Sequence, residues 1–276
     1  MVAPTALAML YPTLLTALMQ ANYTIFPDGD GVPHLVQLNY EPLSLEEVST
    51  LIANVNSVVY TLYTRRNPTV GQVIATNDIN SVTRSAWNPN RPTIVVAHGW
   101  KSAGDKSSCT LKFPRQVRCD LPPAYLKVLD CNVIVIDWSA ISNSLYYPTP
   151  AKSVPTVAEH VASFINFLRL KANLKPSNMK IIGHSLGAHV ASLAARIVSR
   201  SSLVAEVIAL DPANPMFECK GPDGRVDSSH ARNVQVVHTC AGLLGISAAV
   251  GTSDFYANGG SNQPGCRNDM FGKRFY

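Results

Sequence analysis

The stretch Ile181-Ile182-Gly183-His184-Ser185-Leu186-Gly187-Ala188 constrains this chain more than any other. It reads as an apolar strand, a sharp G-x-S-x-G turn, and the start of a helix rich in small residues. A strand that turns directly into a helix crowds both elements onto one point. Glycine is needed on each side of the serine there, because a Cβ would strike the neighbouring strand or helix. Such a turn also holds the serine hydroxyl out at the top of the strand, where it is available as a nucleophile. The motif alone arises by chance in roughly one chain of this length in ten. A surface Gly-Ser turn is therefore the competing reading, and the rest of the chain decides between the two.

Through its middle the chain alternates strand and helix. Residues 92–97 (PTIVVA) and 132–136 (NVIVI) are unbroken apolar runs, as strands buried on both faces require. Further strands are expected at 57–64, 180–182, 207–210 and 234–237. Helices are expected at 43–52, at a segment ending over 122–129, and behind Thr156-Val-Ala-Glu159, which has the form of a capping box. After that box Val157, Val161, Phe164, Ile165 and Leu168 share one helical face. Ala188, Ala191, Ala194 and Ala195 give the helix after Ser185 a small face that packs close to a sheet. The alternation predicts an α/β fold with a mostly parallel central sheet and helices on both faces. Chemistry gathers at the carboxyl ends of such strands, and four of these strands lead into His98, Ser185, Asp211 and His238.

Serine needs a base, and the base needs an orienting acid. Asp211 follows Ser185 by one helix and one strand and stands beside Pro212 at a strand end. It is the candidate acid; the competing reading is a helix N-cap. An oxyanion hole needs two backbone N–H donors. Leu186, the residue after the nucleophile, supplies one. His98-Gly99-Trp100 fits the other, with the Trp100 N–H pointing inward and Gly99 allowing close approach of backbone. His98 itself reads as structural. His184 and His189 flank the elbow without reaching the Ser185 hydroxyl and read as packing histidines. From chain order alone His238 is the candidate base.

The ordered blocks HGW, NVIVIDWS, IIGHSLGAHVAS, ALDPANPMF, VQVVHT and DFYANGGSNQPGC resemble the pancreatic-lipase family, and within it the secreted arthropod lipases and phospholipases A1. The likeness runs over about residues 28–266. It implies an α/β-hydrolase fold and a secreted carboxyl-ester hydrolase that meets triacylglycerol or phospholipid at a lipid–water interface, with no cofactor. At the matching positions it implies Ser185 as nucleophile, Asp211 as acid, Trp100 and Leu186 as oxyanion donors, and Gly183, His184 and Gly187 as the elbow. It assigns His238 a structural role and puts the catalytic histidine after the NGG…PGC block, just past a cysteine that pairs with the counterpart of Cys266. No histidine follows His238, so the resemblance predicts a chain that stops inside the lid, without its base. Loss of a triad base typically costs about 10⁶-fold in kcat, which would leave these 276 residues close to inactive. Some relatives hold calcium in the loop matching residues 223–230. Asp227 matches, but His230 stands where an acidic ligand is expected, so no metal is expected. The missing histidine also favours a second reading, a non-catalytic lipid-binding or storage protein on the same fold.

The first 27 residues carry no Asp, Glu, Lys or Arg, and 6–18 is largely apolar. A signal peptide is expected over 1–21, followed by one catalytic domain over 22–276 and an extracellular location. Pro12, Thr13, Thr16 and Gln20 interrupt this stretch, leaving no apolar run of about 18 residues to span a membrane. The net charge of +5 is scattered, with no basic run interleaved with aromatics, so no nucleic-acid partner is expected. A monomer is expected. Cys109 with Cys119, and Cys219 with Cys240, flank polar loops and read as two loop-closing disulfides in a secreted chain. Cys131 reads as a buried thiol, and Cys266 has no evident partner.

Overall fold

A computed structural model describes residues 22–27, 33–102, 110–112, 118–242 and 244–264. The expected leader at 1–21, Cys109 and Cys266 lie outside the described residues. The chain opens with an antiparallel hairpin of β1 (Tyr23–Pro27) and β2 (Pro33–Gln37). Helix α1 (Leu45–Val55) follows, closed by a Ser44–Glu47 capping box. Next come β3 (Val59–Tyr63), β4 (Gln72–Ile74), α2 (Ile79–Thr83) and β5 (Thr93–Ala97). A small hairpin, β6 (Thr110–Lys112) and β7 (Arg118–Asp120), leads into α3 (Leu121–Val128), β8 (Asn132–Asp137) and α4 (Ser139–Ser142). The second half holds α5 (Pro148–Lys171), β9 (Met179–His184), α6 (Leu186–Ser199), β10 (Glu206–Leu210), β11 (Asn233–His238) and β12 (Ser253–Tyr256).

An eight-stranded sheet, ordered β12-β11-β10-β9-β5-β8-β3-β4, forms the centre. From β12 to β8 every pairing is parallel; β3 joins β8, and β4 joins β3, antiparallel. This is the α/β-hydrolase architecture that the sequence predicts. The apolar runs are unbroken because each face of the sheet is covered. Val95, Ala97, Ile134, Ile136 and Ile181 point into the main core beneath α5 and α6. Their neighbours Ile94, Val96, Val133, Val135 and Ile182 point the other way, into a smaller core closed by Leu126 of α3 and by Cys131. Ala188, Ala191, Ala194 and Ala195 are fully buried where α6 meets the sheet and α5.

Elements β1, β2, β4, β6, β7, α2 and α4 carry no expectation from the sequence, and two further elements differ from the sequence reading. Helix α5 does not begin at Thr156. It starts at Pro148 and runs through Pro155 to Lys171. Proline suits the first helical position, where no N–H is needed. Ala151 and Val154 then extend the buried stripe of Val157, Val161 and Leu168 by two turns, so burial carries the helix past both the interior proline and the local capping signal. Strand β12 was not expected. It is a four-residue edge strand with mostly exposed side chains, and it lacks the apolar pattern that marks a buried strand.

Candidate active site

Ser185 joins β9 to α6 with φ +55° and ψ −122°. A left-handed φ in a non-glycine residue costs about 1–3 kcal/mol and persists only where the surroundings hold it. Here the Ser185 N–H donates to the Leu210 carbonyl at 3.0 Å, and its own carbonyl accepts from Ala188 at 3.1 Å and Ala213 at 3.3 Å. Glycines make the convergence possible. A Cβ on Gly183 would lie 2.1 Å from the Gly187 carbonyl oxygen, and one on Gly187 would lie 2.3 Å from that of His98. A Cβ on Gly99 would lie 3.0 Å from the Ser185 Cβ. The start of α6, the end of β5 and the serine therefore meet at one point because no side chain stands between them.

Leu186 is the first residue of α6, so its N–H is one of the helix-start donors with no intrahelical acceptor. Trp100 follows β5 on the loop that touches Ser185, and it is 2% exposed. Its indole Nε1–H donates to the Ser144 carbonyl at 2.8 Å. Phe26 and Tyr147 meet the ring edge-on, with centroids 5.7 and 5.4 Å away. His98 braces this loop. Its Nδ1–H donates to the Gly99 carbonyl at 3.0 Å, while its Nε2 accepts the Trp138 N–H at 3.1 Å. Trp138 returns its indole N–H to the His98 carbonyl at 2.8 Å. His98 has the structural place expected of it.

Asp211 also has a left-handed φ, +42°. Its N–H donates to the Val237 carbonyl at 2.8 Å. The buried carboxylate takes the backbone N–H of Thr239 at 2.7 Å and that of Cys240 at 3.0 Å on Oδ1, and the Thr239 hydroxyl donates to Oδ2. Gly245 covers it closely: a Cβ there would lie 3.0 Å from Oδ1. Ser185 and Asp211 are neighbours because β9 and β10 pair in parallel with His184 opposite Leu210.

That register also places His184 at the site, where sequence reasoning expected a packing histidine. Its ring is half-buried, with Nδ1 3.5 Å from where a Gly99 Cβ would stand. Burial pushes its pKa down, and the nearby Asp211 carboxylate opposes that shift. The signal in the sequence was its last place in an apolar strand parallel to the one that ends at Asp211.

The remaining histidines are held elsewhere. His189 stacks on Phe217 with centroids 3.9 Å apart, and its Nε2–H donates to the Ala213 carbonyl at 2.9 Å. Its Nδ1 accepts from Val226 at 3.2 Å, and burial pushes its pKa down to about 3. His238, the base suggested by chain order, is fully buried with Nδ1 2.9 Å from the Ile246 carbonyl and Nε2 2.9 Å from Asp254. His230 turns inward, with Nδ1 2.8 Å from the Ser192 hydroxyl. Asp227 caps the short turn Ser228–His230, accepting from the Ser229 N–H at 2.9 Å. No group of three or more His, Cys, Asp or Glu residues placed to hold a metal occurs among the described residues. His34 lies beside Trp100 and 3.2 Å from the Lys101 ammonium, and His160 stacks on Tyr60.

The bridge expected between Cys219 and Cys240 is not formed: Cys219 is an exposed free thiol, whereas Cys240 is buried at the Asp211 carboxylate. Cys131 is a buried thiol, as expected.

Residues 34–274 match the family model described as Lipase. The chain is 33% identical to Lipase member H of Rattus norvegicus over 81% of its length and 46% of the relative's. It is 33% identical to Pancreatic lipase-related protein 2 of Cavia porcellus, over 76% of this chain and 47% of that one. It is 32% identical to Probable phospholipase A1 magnifin of Vespa magnifica, over 83% of this chain and 65% of that one. The chain thus spans about half the length of the first two relatives and about two thirds of the third. Among solved structures it is similar to an α/β hydrolase enzyme from a Medee basin deep-sea metagenome library, at 16% identity and a TM-score of 0.38, over 82% of this chain and 73% of that one. On the extent of the family match and the identity to these relatives, the chain belongs to the pancreatic lipase family.

Proposed function

We propose that this protein is a secreted serine carboxyl-ester hydrolase that acts on lipid esters, either triacylglycerol or the sn-1 ester of a phospholipid. Ser185 attacks the ester carbonyl. The Trp100 and Leu186 N–H groups receive the oxyanion that forms, and Asp211 orients the histidine that takes the serine proton. Collapse of the tetrahedral intermediate expels the alcohol, and water then releases the fatty acid from the acyl-serine. The observation that carries this reading is the convergence at Ser185. A strained elbow, a helix start and the HGW loop are brought together by three glycines, with a carboxylate that accepts three hydrogen bonds just past the end of the adjoining strand. Fixed N–H donors aimed at one point are what acyl transfer needs.

Apolar groups beside the HGW loop support a lipid substrate. Leu145 is 80% exposed, and Tyr146 is also exposed, next to the Ser144 carbonyl that holds the Trp100 indole. Among the described residues no helix is long and apolar enough to cross a membrane. Secretion and the leader rest on the sequence reading of the first 27 residues.

One observation favours a second reading, a non-catalytic lipid-binding protein on this fold: His184 lies beside Asp211, and its burial disfavours the protonated form that a base must reach. Fatty-acid release from triolein and from phosphatidylcholine by the full-length protein, with Ser185→Ala as control, tests the choice. Release that S185A abolishes supports the hydrolase, and the preferred lipid identifies its class. Binding of both lipids with no release supports the carrier.

A further inference from the structure

Asp211 receives its side-chain hydrogen bonds from two consecutive residues, Thr239 and Cys240, at the first step of the loop leaving β11. Loop backbone is a poor support for a group that must be aimed. What stiffens it lies directly behind. His238, the last residue of β11, directs one ring nitrogen at the Ile246 carbonyl and the other at Asp254 Oδ1, each at 2.9 Å. Tyr256 stacks flat on the ring with centroids 4.2 Å apart. Asp254 reaches back into the same loop, accepting from Val250 at 3.1 Å and Gly251 at 2.9 Å. Ile246 closes the circuit: its carbonyl faces His238, and its N–H donates to the Pro212 carbonyl at 2.9 Å, one residue from Asp211.

We propose that Asp254 and His238 form a buried positioning pair that aims the Asp211 carboxylate through Thr239 on one side and Ile246 on the other. The inference rests on the reading of Asp211 as the catalytic acid. Neither member of the pair touches substrate. Asp254 sits on β12, and parallel pairing of β12 with β11 sets Tyr256 opposite His238 and Asp254 opposite Val236. The edge strand thereby gains a purpose: it delivers a carboxylate and an aromatic ring to the residue behind the acid's support. A side chain held at two ring nitrogens and one face has little freedom, and that rigidity passes to the next peptide, whose N–H is on Asp211.

The test uses the full-length protein with Asp254→Asn, His238→Gln, Thr239→Val and Thr239→Ser. Amide hydrogen exchange at Thr239 and Cys240 reads the positioning without needing activity. The expected result is a loss of protection of roughly ten-fold or more at both amides in D254N and in H238Q, with β9 and β10 amides unchanged. The second readout is the rate at which a fluorophosphonate labels Ser185. It should fall roughly ten-fold or more in D254N and in T239V, and T239S, which keeps the hydroxyl, should restore it. Wild-type protection at Thr239 and Cys240 in both D254N and H238Q overturns the proposal. Loss of protection throughout β9 and β10 also overturns it, since the pair would then be general support for the sheet. Failure of the wild type to label would sink the catalytic reading of Asp211 and leave the exchange result to decide the positioning claim.

Discussion

Gly187 and His98 are in contact through backbone alone: a Cβ on Gly187 would stand 2.3 Å from the His98 carbonyl oxygen. That contact brings the first turn of α6 against the end of β5, and with it Leu186 against the loop of Trp100. Gly187→Ala should therefore destabilise the protein by more than about 3 kcal/mol, because backbone on both sides would have to move. Gly183→Ala should behave alike, its Cβ falling 2.1 Å from the Gly187 carbonyl oxygen. Gly221 is the control, with nothing within 4 Å of an added Cβ. Gly221→Ala should change stability by no more than about 0.5 kcal/mol. Urea unfolding of the three variants measures the contrast.

Asp211→Asn should keep the fold and lose the chemistry. The amide oxygen still accepts from Thr239 and Cys240, but an NH₂ replaces the oxygen that takes the Thr239 hydroxyl. A serine-hydrolase acid of this kind is typically worth about 10⁴-fold in kcat. Ester hydrolysis should fall by about that factor, with an unfolding midpoint close to wild type.

Acid should destabilise the protein, in a window set by its histidines. Burial depresses the pKa of His160, His184, His189 and His230, in His189 to about 3. A depressed folded-state pKa means that the unfolded chain binds the proton more readily. The stabilisation is fully present above the unfolded value of about 6.5 and is lost as pH falls from there toward the folded value. His189 alone should cost on the order of 2 kcal/mol between pH 7.5 and 5. Urea unfolding at the two pH values measures the loss, and His189→Gln should remove part of the pH dependence while lowering stability at neutral pH.

The thiols should differ sharply in reactivity. Cys219 is exposed, whereas Cys131 is buried in the smaller core, where burial and then Asp130 push its thiol up to about 11. An aromatic disulfide reagent on the native protein should modify Cys219 within minutes and Cys131 only on unfolding, since thiolate and access are both required. Mass spectrometry of the modified peptides reads the order.

The parts of the fold legible in sequence were those with a local physical signature. Residues 92–97 and 132–136 read as strands because burial on both faces leaves the apolar runs 94–97 and 133–136 unbroken. The strand-to-helix turn at Ser185 was legible because its glycines have no alternative at such close approach. Thr156 misled because its capping pattern is genuine locally, yet Ala151 and Val154 bury enough surface to carry the helix past it. The place of His184 beside Asp211 depends on the register of β9 against β10, which no local pattern encodes. The support for Asp211 was equally hidden. Thr239 and Cys240 are unremarkable loop residues in sequence, and Asp254 reaches His238 only through β12, a strand too short and too exposed to announce itself.

The account turns on Ser185 as a reactive nucleophile. Treatment of the full-length protein with a fluorophosphonate, followed by peptide mass spectrometry, tests that most directly. The account predicts one covalent adduct per chain, on the peptide carrying Gly183-His-Ser-Leu-Gly187, lost in Ser185→Ala and slowed in Asp211→Asn. A folded wild-type protein that forms no adduct at Ser185 would contradict it.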